Sequence, residues 1–410
     1  MVNSDAGGVK YLMLIPDGMA DQPLPDLHGK TPLEAARTPH MDRLACRGHV
    51  GWAQTVPDGM PAGSDVACLS LFGYDPQVYH TGRASIEAAS HAIPLGEEDV
   101  VFRCNFVTVQ NNRLSDYSAG HITTDEAQAL IATLNQRFGS EECTFYPGVS
   151  YRNLLVARGH ARDQIRCTPP HDIANQTITT HWPEGPEASW AQLLIRQSVE
   201  VLREHPVNVQ RRKNRLPEAT MIWLWGQGTR LNLPPFRTRF GVEGSVITAV
   251  DLVRGLGLLA GLKIVHVPGA TGYFDTNYQG KAEYAVAALE LHPFVVIHIE
   301  ATDEAGHLGD YRKKVEAIEA VDRLVLGTLL KGLEERGWTY RLLIAPDHPT
   351  FVATRTHVSD PVPYLLVSST DQGLSSVTAF HERAVREATD TVVPGHTLME
   401  QLVHEKIPTT

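Results

Sequence analysis

The chain alternates short, unbroken apolar runs with polar stretches, and several of the runs stop at an acid or a histidine. The run at 11–19 (YLMLIPDGM) closes on Asp17, 295–310 (VVIHIEATDEAGHLGD) carries Asp303 and His307, 341–350 (RLLIAPDHPT) ends in Asp347 and His348, and His357 opens 356–367 (THVSDPVPYLLV). A continuous apolar run of about 4–8 residues is the pattern of a strand buried on both faces. In a parallel sheet such strands bring their carboxyl ends to one edge, so residues that end separate strands meet in space. The expected fold is therefore α/β: a mainly parallel sheet flanked by helices, with polar groups gathered at one edge.

Residues 93–217 contain none of these polar-ended runs, and they read as a smaller inserted α+β domain. Within them, 99–118 (DVVFRCNFVTVQNNRLSDYS) alternates around an Asn-Asn turn and predicts a hairpin. The stretch 123–138 (TTDEAQALIATLNQRF) has Thr, then acids, then helical periodicity, and predicts a helix. A further helix and a basic, proline-bounded segment follow at 197–219. The strand 220–226 (TMIWLWG) is expected to resume the first domain, its tryptophans filling core. Residues 1–92 and 218–410 would then form the catalytic, metal-binding domain, and 93–217 the substrate-binding insert.

Composition narrows the function classes. At 410 residues and 42% hydrophobic the chain can bury a large core and build two domains. A net charge of −11 argues against a nucleic-acid surface. Cys46, Cys68, Cys104, Cys143 and Cys167 are odd in number and lack a CxxC pair, as expected of reduced thiols in the cytoplasm. The start has no basic region and its apolar run is too short for a leader or a membrane helix, so no membrane partner is expected. Association with further copies of the chain stays open.

Asp17, Asp303, His307, Asp347, His348 and His357, with Ser64 in 61–75 (PAGSDVACLSLFGYD), make one chemical set. Taken singly each has a plain role: Ser64 as a helix cap, the aspartates as turn residues, Asp303 and His307 as a polar pair one helical turn apart, His348 as part of a turn before Pro349. Their convergence at one sheet edge decides for metal. Two divalent ions about 3.5–4 Å apart need carboxylates and neutral imidazoles, and they clamp the attacking and leaving oxygens of a phosphoryl transfer. Ser64, placed just before a helix-like pattern where backbone N–H groups favour an anion, is the candidate nucleophile. Metal affinity is expected to fall as pH drops through the histidine range near ~6.5.

Long consecutive segments carry a family resemblance: IPDGMAD, TPLEAARTPHMDRLA, GSDVACLSLFGYDP, YHTGRASIEA, GATGYFDTNYQGKA, DEAGHLGDYRKKVEAIEAVD, and APDHPT followed by THVSDPVP. Through them nearly the whole chain resembles the archaeal-type cofactor-independent phosphoglycerate mutases of the alkaline phosphatase superfamily. The resemblance implies an isomerase of glycolysis that moves the phosphoryl group of a phosphoglycerate through a phosphoserine at Ser64. It implies one metal among Asp17, Ser64, Asp347 and His348 and another among Asp303, His307 and His357. The implied cofactors are two divalent ions, manganese foremost, with magnesium, cobalt or zinc as alternatives; the mixed donor set suits manganese or zinc better than magnesium alone.

The small phosphorylated substrate needs cationic and polar partners. Arg152 is the first candidate because its fork matches a carboxylate or phosphate. His121, Lys213, His171 and Asp172 in the insert are further candidates, with Asp172 better suited to a capping role. Lys281 lies in a segment resembling the family's catalytic-domain lysine region. The segments GRASIEAASHAI, RCNFVTV and CTPPHDI resemble a bacterial branch proposed to act as homoserine kinases, which leaves a homoserine-directed phosphotransferase, or a metal-dependent phosphatase, as alternatives. Against a kinase, neither GxxxxGK[ST] nor GxGxxG after a strand occurs.

Overall fold

A computed structural model describes residues 8–158, 162–371 and 377–404. The first seven residues, read above for a leader, lie outside them. The strands in chain order are β1 (Lys10–Pro16), β2 (His49–Gln54), β3 (Asp99–Gln110), β4 (Arg113–Asp116), β5 (Cys143–Val149), β6 (Arg152–Arg158), β7 (Met221–Thr229) and β8 (Gly244–Ile247). They continue with β9 (Lys263–Ile264), β10 (Phe294–Ile299), β11 (Tyr340–Ile344), β12 (Thr350–Phe351), β13 (Thr356–His357), β14 (Val362–Ser368) and β15 (Val392–Pro394). The chain forms two compact units, residues up to 80 with those from 233 onward, and residues 81–232.

The first unit is built on an eight-stranded sheet in the order β15-β2-β14-β11-β1-β10-β8-β9. β11, β1, β10 and β8 run parallel at its centre, with Leu14 beside Ile344 and Pro16 beside Ile299. Only β14 runs against its two neighbours, β11 and β2. Leu12 to Ile15, Val295 to Ile297 and Leu342 to Ile344 are all fully buried, as the unbroken apolar runs predict. Each fully buried aliphatic side chain contributes roughly 1.5–3 kcal/mol, so these strands anchor whatever follows their carboxyl ends.

The second unit is an antiparallel sheet, β4-β3-β6-β5, with β7 paired to the other side of β3. The predicted hairpin is β3–β4, turning through Asn111 and Asn112 at φ 49° and 63°, the left-handed pair a two-residue hairpin turn needs. The predicted helix spans Thr124–Phe138 and opens with a capping box between Thr123 and Glu126.

Contrary to the expectation from the sequence, the strand TMIWLWG does not resume the first unit: β7 pairs with β3 from Met221–Val107 to Thr229–Val100. The start of the second unit also comes earlier than residue 93, because Ala84 and Ala88 of the helix Arg83–Ser90 pack on Val101 and Leu154. The buried tryptophans Trp223 and Trp225 do fill core, though that of the second unit. Among the described residues no helix is long and apolar enough to cross a membrane.

Candidate metal centre

Three neighbouring parallel strands of the first unit deliver the candidate ligands. Asp17 follows β1, Asp303 and His307 lie one turn apart on the helix Ala301–Leu308 after β10, and Asp347 and His348 follow β11. His357 comes in on β13, paired with Thr350 of β12. Ser64 is the first residue of the helix Ser64–Leu71, and the cap position before it is Gly63, so the serine side chain is not spent on capping.

All seven predicted residues come together. Ser64 Oγ is 3.1 Å from His348 Nε2, which lies 3.2 Å from Asp347 Oδ2 and 3.8 Å from Asp17 Oδ1. Asp303 Oδ2 is 3.2 Å from His307 Nε2, and its Oδ1 is 3.3 Å from His357 Nε2. The two groups abut, since the His348 and His357 rings stack at 3.9 Å. Asp17, Asp347 and His348 place ligand atoms within 4.8 Å of one another, and so do Asp303, His348 and His357.

Close backbone approach makes this possible. Gly18 sits at φ +61°, and a Cβ there would meet the Asp303 Cα at 2.8 Å. Its N–H donates to Asp347 Oδ1, while Thr350 Oγ1 donates to Asp303. Behind these turns Lys314, fully buried, donates to Asp21 Oδ2 at 2.8 Å and to the carbonyls of Ala20 and Thr350. One ammonium thus ties the turn after β1 to the turn after β11.

The donor set fits a cation. His307 Nδ1 lies 3.0 Å from the Arg355 carbonyl and His357 Nδ1 3.2 Å from that of Ala62, and a carbonyl can only accept, so each Nδ1 carries the proton. In the neutral rings both Nε2 atoms then present lone pairs, yet they face each other at 2.8 Å beside the Asp303 carboxylate. A proton on one Nε2, or a cation placed between them, satisfies this contact. Asp17 Oδ1 is likewise buried without a hydrogen-bond partner.

The electrostatics point the same way. Burial, then the nearby Asp347 carboxylate, drives the Asp17 pKa well up. Burial lowers His348 to about 4. For His307 burial works downward but is overcome by the hydrogen bond to Asp303, leaving it at about 9.

Sequence reading missed His298 and Glu300. His298 Nε2 is 2.8 Å from Asp17 Oδ2 and 3.7 Å from Glu300 Oε2, and its Nδ1 is 3.3 Å from Thr248 Oγ1. Burial, then Asp303, raises Glu300 to about 8. A histidine inside VVIHIE reads as core; only its neighbours in space mark it as a partner of Asp17. Cys68, one helical turn after Ser64, was read only as a thiol, and its Sγ donates to Asp347 Oδ2 at 3.5 Å. The structure places Lys281 behind this cluster, 1% exposed, its Nζ donating to the His298 carbonyl at 3.0 Å. Burial lowers it to about 8 against the pull of Glu300.

In the second unit, three of the residues expected to hold substrate lie along one string of aromatic rings. The exposed Arg152 lies over Tyr151 at 5.2 Å, His121 is 6.4 Å from Tyr151, Tyr151 is 6.0 Å from Tyr117, and Tyr117 is 6.5 Å from His171. His171 in turn meets Trp225 at 5.2 Å, with Asp172 Oδ1 3.6 Å from its Nε2. Lys213 is an exposed residue in the last turn of the helix Pro206–Lys213, which turns Arg211 inward to the carbonyls of Ala119 and Gly120. The helix thus brings Arg211, not Lys213, to the loop that carries His121.

Residues 45–208 match the family model described as 2,3-bisphosphoglycerate-independent phosphoglycerate mutase. The chain is 46% identical to the enzyme of that name from Methanosarcina barkeri, over 97% of this chain and 100% of the relative. It is 49% identical to "2,3-bisphosphoglycerate-independent phosphoglycerate mutase 2" of Methanothermobacter thermautotrophicus, over 96% of each. Among solved structures it resembles a protein from Pyrococcus horikoshii with TM-score 0.80 and 30% identity, over 98% of this chain and 100% of that one. It also resembles the cofactor-independent phosphoglycerate mutase from Thermoplasma acidophilum, with TM-score 0.62 and 26% identity over 96% and 99% of the two chains. With near-complete coverage at this identity, the chain belongs to the 2,3-bisphosphoglycerate-independent phosphoglycerate mutase family.

Proposed function

We propose that this enzyme interconverts 3-phosphoglycerate and 2-phosphoglycerate through a phosphoserine at Ser64. The observation that carries the reading is Ser64 Oγ, uncommitted to capping at the head of a helix and 3.1 Å from a histidine that belongs to two of the three candidate cation groups among the described residues. Asp17, Ser64, Asp347 and His348 would hold one divalent ion and Asp303, His307 and His357 the other, manganese being the best match to this donor set. When bound, the ions lower the pKa of the serine hydroxyl and neutralise charge on the transferring group.

Ser64 gives up its hydroxyl proton as Oγ attacks phosphorus; the Oγ–P bond forms while the bond from phosphorus to the glycerate oxygen breaks, and that oxygen takes up a proton, so one proton is lost and one gained. The second step reverses this onto the neighbouring hydroxyl, so no phosphate is gained or lost. The first backbone N–H groups of the helix Ser64–Leu71 favour the anion that develops there. His298, hydrogen-bonded to Asp17, fixes the orientation of that carboxylate. Arg152, His121 and His171, with Asp172 orienting His171, would bind the acid. Lys281 supplies positive charge behind Glu300.

The named relatives are mutases, which favours this substrate over homoserine. The cytoplasm, as part of glycolysis, is the setting the reading implies. The test is turnover of 3-phosphoglycerate with manganese, with and without EDTA, beside homoserine plus ATP. Turnover abolished by EDTA supports the proposal; ATP consumption only with homoserine sinks it.

A further inference from the structure

Thr350, the first residue of β12, is fully buried and held at both of its backbone groups. Its N–H donates to the Ala20 carbonyl at 3.3 Å, and its own carbonyl accepts from Lys314 at 2.6 Å. Two glycines make room for its side chain. A Cβ at Gly306 would meet the Thr350 methyl at 2.6 Å, and one at Gly18 would meet Oγ1 at 2.5 Å. The hydroxyl is thereby fixed on the Gly18 side, where it lies 2.5 Å from Asp303 Oδ1 and 3.3 Å from His348 Nδ1.

A hydroxyl has one proton to give. The Asp303 contact has the length of an O–H···O⁻ bond, and an ionised carboxylate can only accept, so the proton goes to Asp303. Oγ1 then turns lone pairs toward His348 Nδ1, and the contact is a hydrogen bond only if Nδ1 carries the ring proton. In the neutral ring Nε2 keeps a lone pair, 3.1 Å from Ser64 Oγ, whose O–H can donate to it.

The opposite tautomer would turn an Nε2–H toward Asp347 Oδ2 at 3.2 Å. That carboxylate already has donors: the N–H groups of Gly18 and His348 reach Oδ1 at 3.1 and 2.9 Å, and Cys68 Sγ reaches Oδ2 at 3.5 Å. It would also leave Nδ1, in a fully buried ring, facing the lone pairs of Oγ1, and a buried acceptor without a donor is costly. A proton on Nδ1 satisfies both ring nitrogens.

Resting on the reading of His348 as a cation ligand beside the nucleophile, we propose that Thr350 is a positioning residue that holds the proton of His348 on Nδ1, so that Nε2 presents its lone pair to Ser64 Oγ and to a bound cation. The same hydroxyl orients Asp303, and so ties a ligand that follows β10 to one that follows β11.

The test uses the full chain with isotope-labelled histidine, freed of metal by chelation, at neutral pH. Long-range proton–nitrogen spectra separate a protonated ring nitrogen from one with a lone pair, and the His348 signals are those missing from His348→Gln. The wild type should show His348 protonated on Nδ1 alone. Thr350→Val keeps shape and removes the hydroxyl; the proton should move to Nε2 in at least about half of the molecules, and calorimetric manganese affinity should fall about 10–100-fold. Thr350→Ser keeps the hydroxyl, so its tautomer should match the wild type and its affinity should stay within about threefold. A role confined to packing would lower the melting temperature of Thr350→Val and leave tautomer and affinity in place. His348 protonated on Nε2 in the wild type, an unmoved tautomer or an affinity loss below about tenfold in Thr350→Val, or a shifted tautomer in Thr350→Ser overturns the inference. If Thr350→Val does not fold, the wild-type and Thr350→Ser spectra decide. If manganese does not bind the wild type, the metal reading fails, and the tautomer still decides the role of Thr350.

Discussion

A cation held beside Asp303 must compete with a proton at His307, and the structure sets the size of the competition. Burial alone would lower His307, but the Asp303 carboxylate reverses that and holds it at about 9 in the metal-free protein. A raised pKa means the ring is protonated below about 9. At pH 7, two units lower, the ring must lose a proton to bind metal, weakening affinity about 100-fold, or ~2.7 kcal/mol. Manganese affinity should therefore rise about tenfold per pH unit between pH 7 and 8, and the raised Asp17 acts in the same sense. This moves the dependence above the ordinary histidine range expected from sequence, while His348, at about 4, contributes nothing near neutrality. Calorimetric titration of the metal-free protein at pH 7, in buffers of different ionisation enthalpy, counts the protons released; at least about one is expected. Release of less than about half a proton, with affinity flat between pH 7 and 8, would refute the reasoning. By the same linkage the metal-free protein should lose stability as pH rises from about 6.5 through 9, the window in which His307 surrenders the proton that Asp303 stabilises.

Further outcomes follow from particular contacts. Ser64→Ala should abolish isomerisation while circular dichroism and the melting curve stay near wild type, because Gly63 rather than Ser64 is the cap. Lys314→Met leaves Asp21 buried and unpaired; chemical denaturation should report a loss of about 3–5 kcal/mol, and the change should be much smaller when Asp21→Asn is added. Arg152→Lys keeps charge and loses the fork, and kcat/KM for 3-phosphoglycerate should fall by the equivalent of about 1.5–3 kcal/mol; an unchanged value would remove Arg152 from the site.

The parallel sheet and the polar cluster at its edge were legible because burial on both faces writes an unbroken apolar run, and a run that ends in Asp or His reports its own carboxyl end. Asp17, Asp303 and Asp347 follow β1, β10 and β11, which are neighbours in the sheet. His298 and Glu300 were not legible. They sit within and just after an apolar run, and their pairing with Asp17 depends on strand order, which the run itself does not encode. The limits of the second unit were misread for a related reason: TMIWLWG is as apolar as the first unit's strands, and only its pairing with β3 shows where it belongs.

The central claim is that one phosphoryl group travels from 3-phosphoglycerate to Ser64 and back to the adjacent oxygen, with no nucleotide. The most direct measurement incubates the manganese-loaded enzyme with 3-phosphoglycerate alone, follows 2-phosphoglycerate by phosphorus NMR, and maps phosphate on acid-quenched protein by mass spectrometry. The account predicts 2-phosphoglycerate without added ATP, and phosphate on the peptide that contains Ser64. Full conversion with no phosphate on Ser64 would contradict the mechanism; no conversion, with ATP consumed once homoserine is added, would contradict the function.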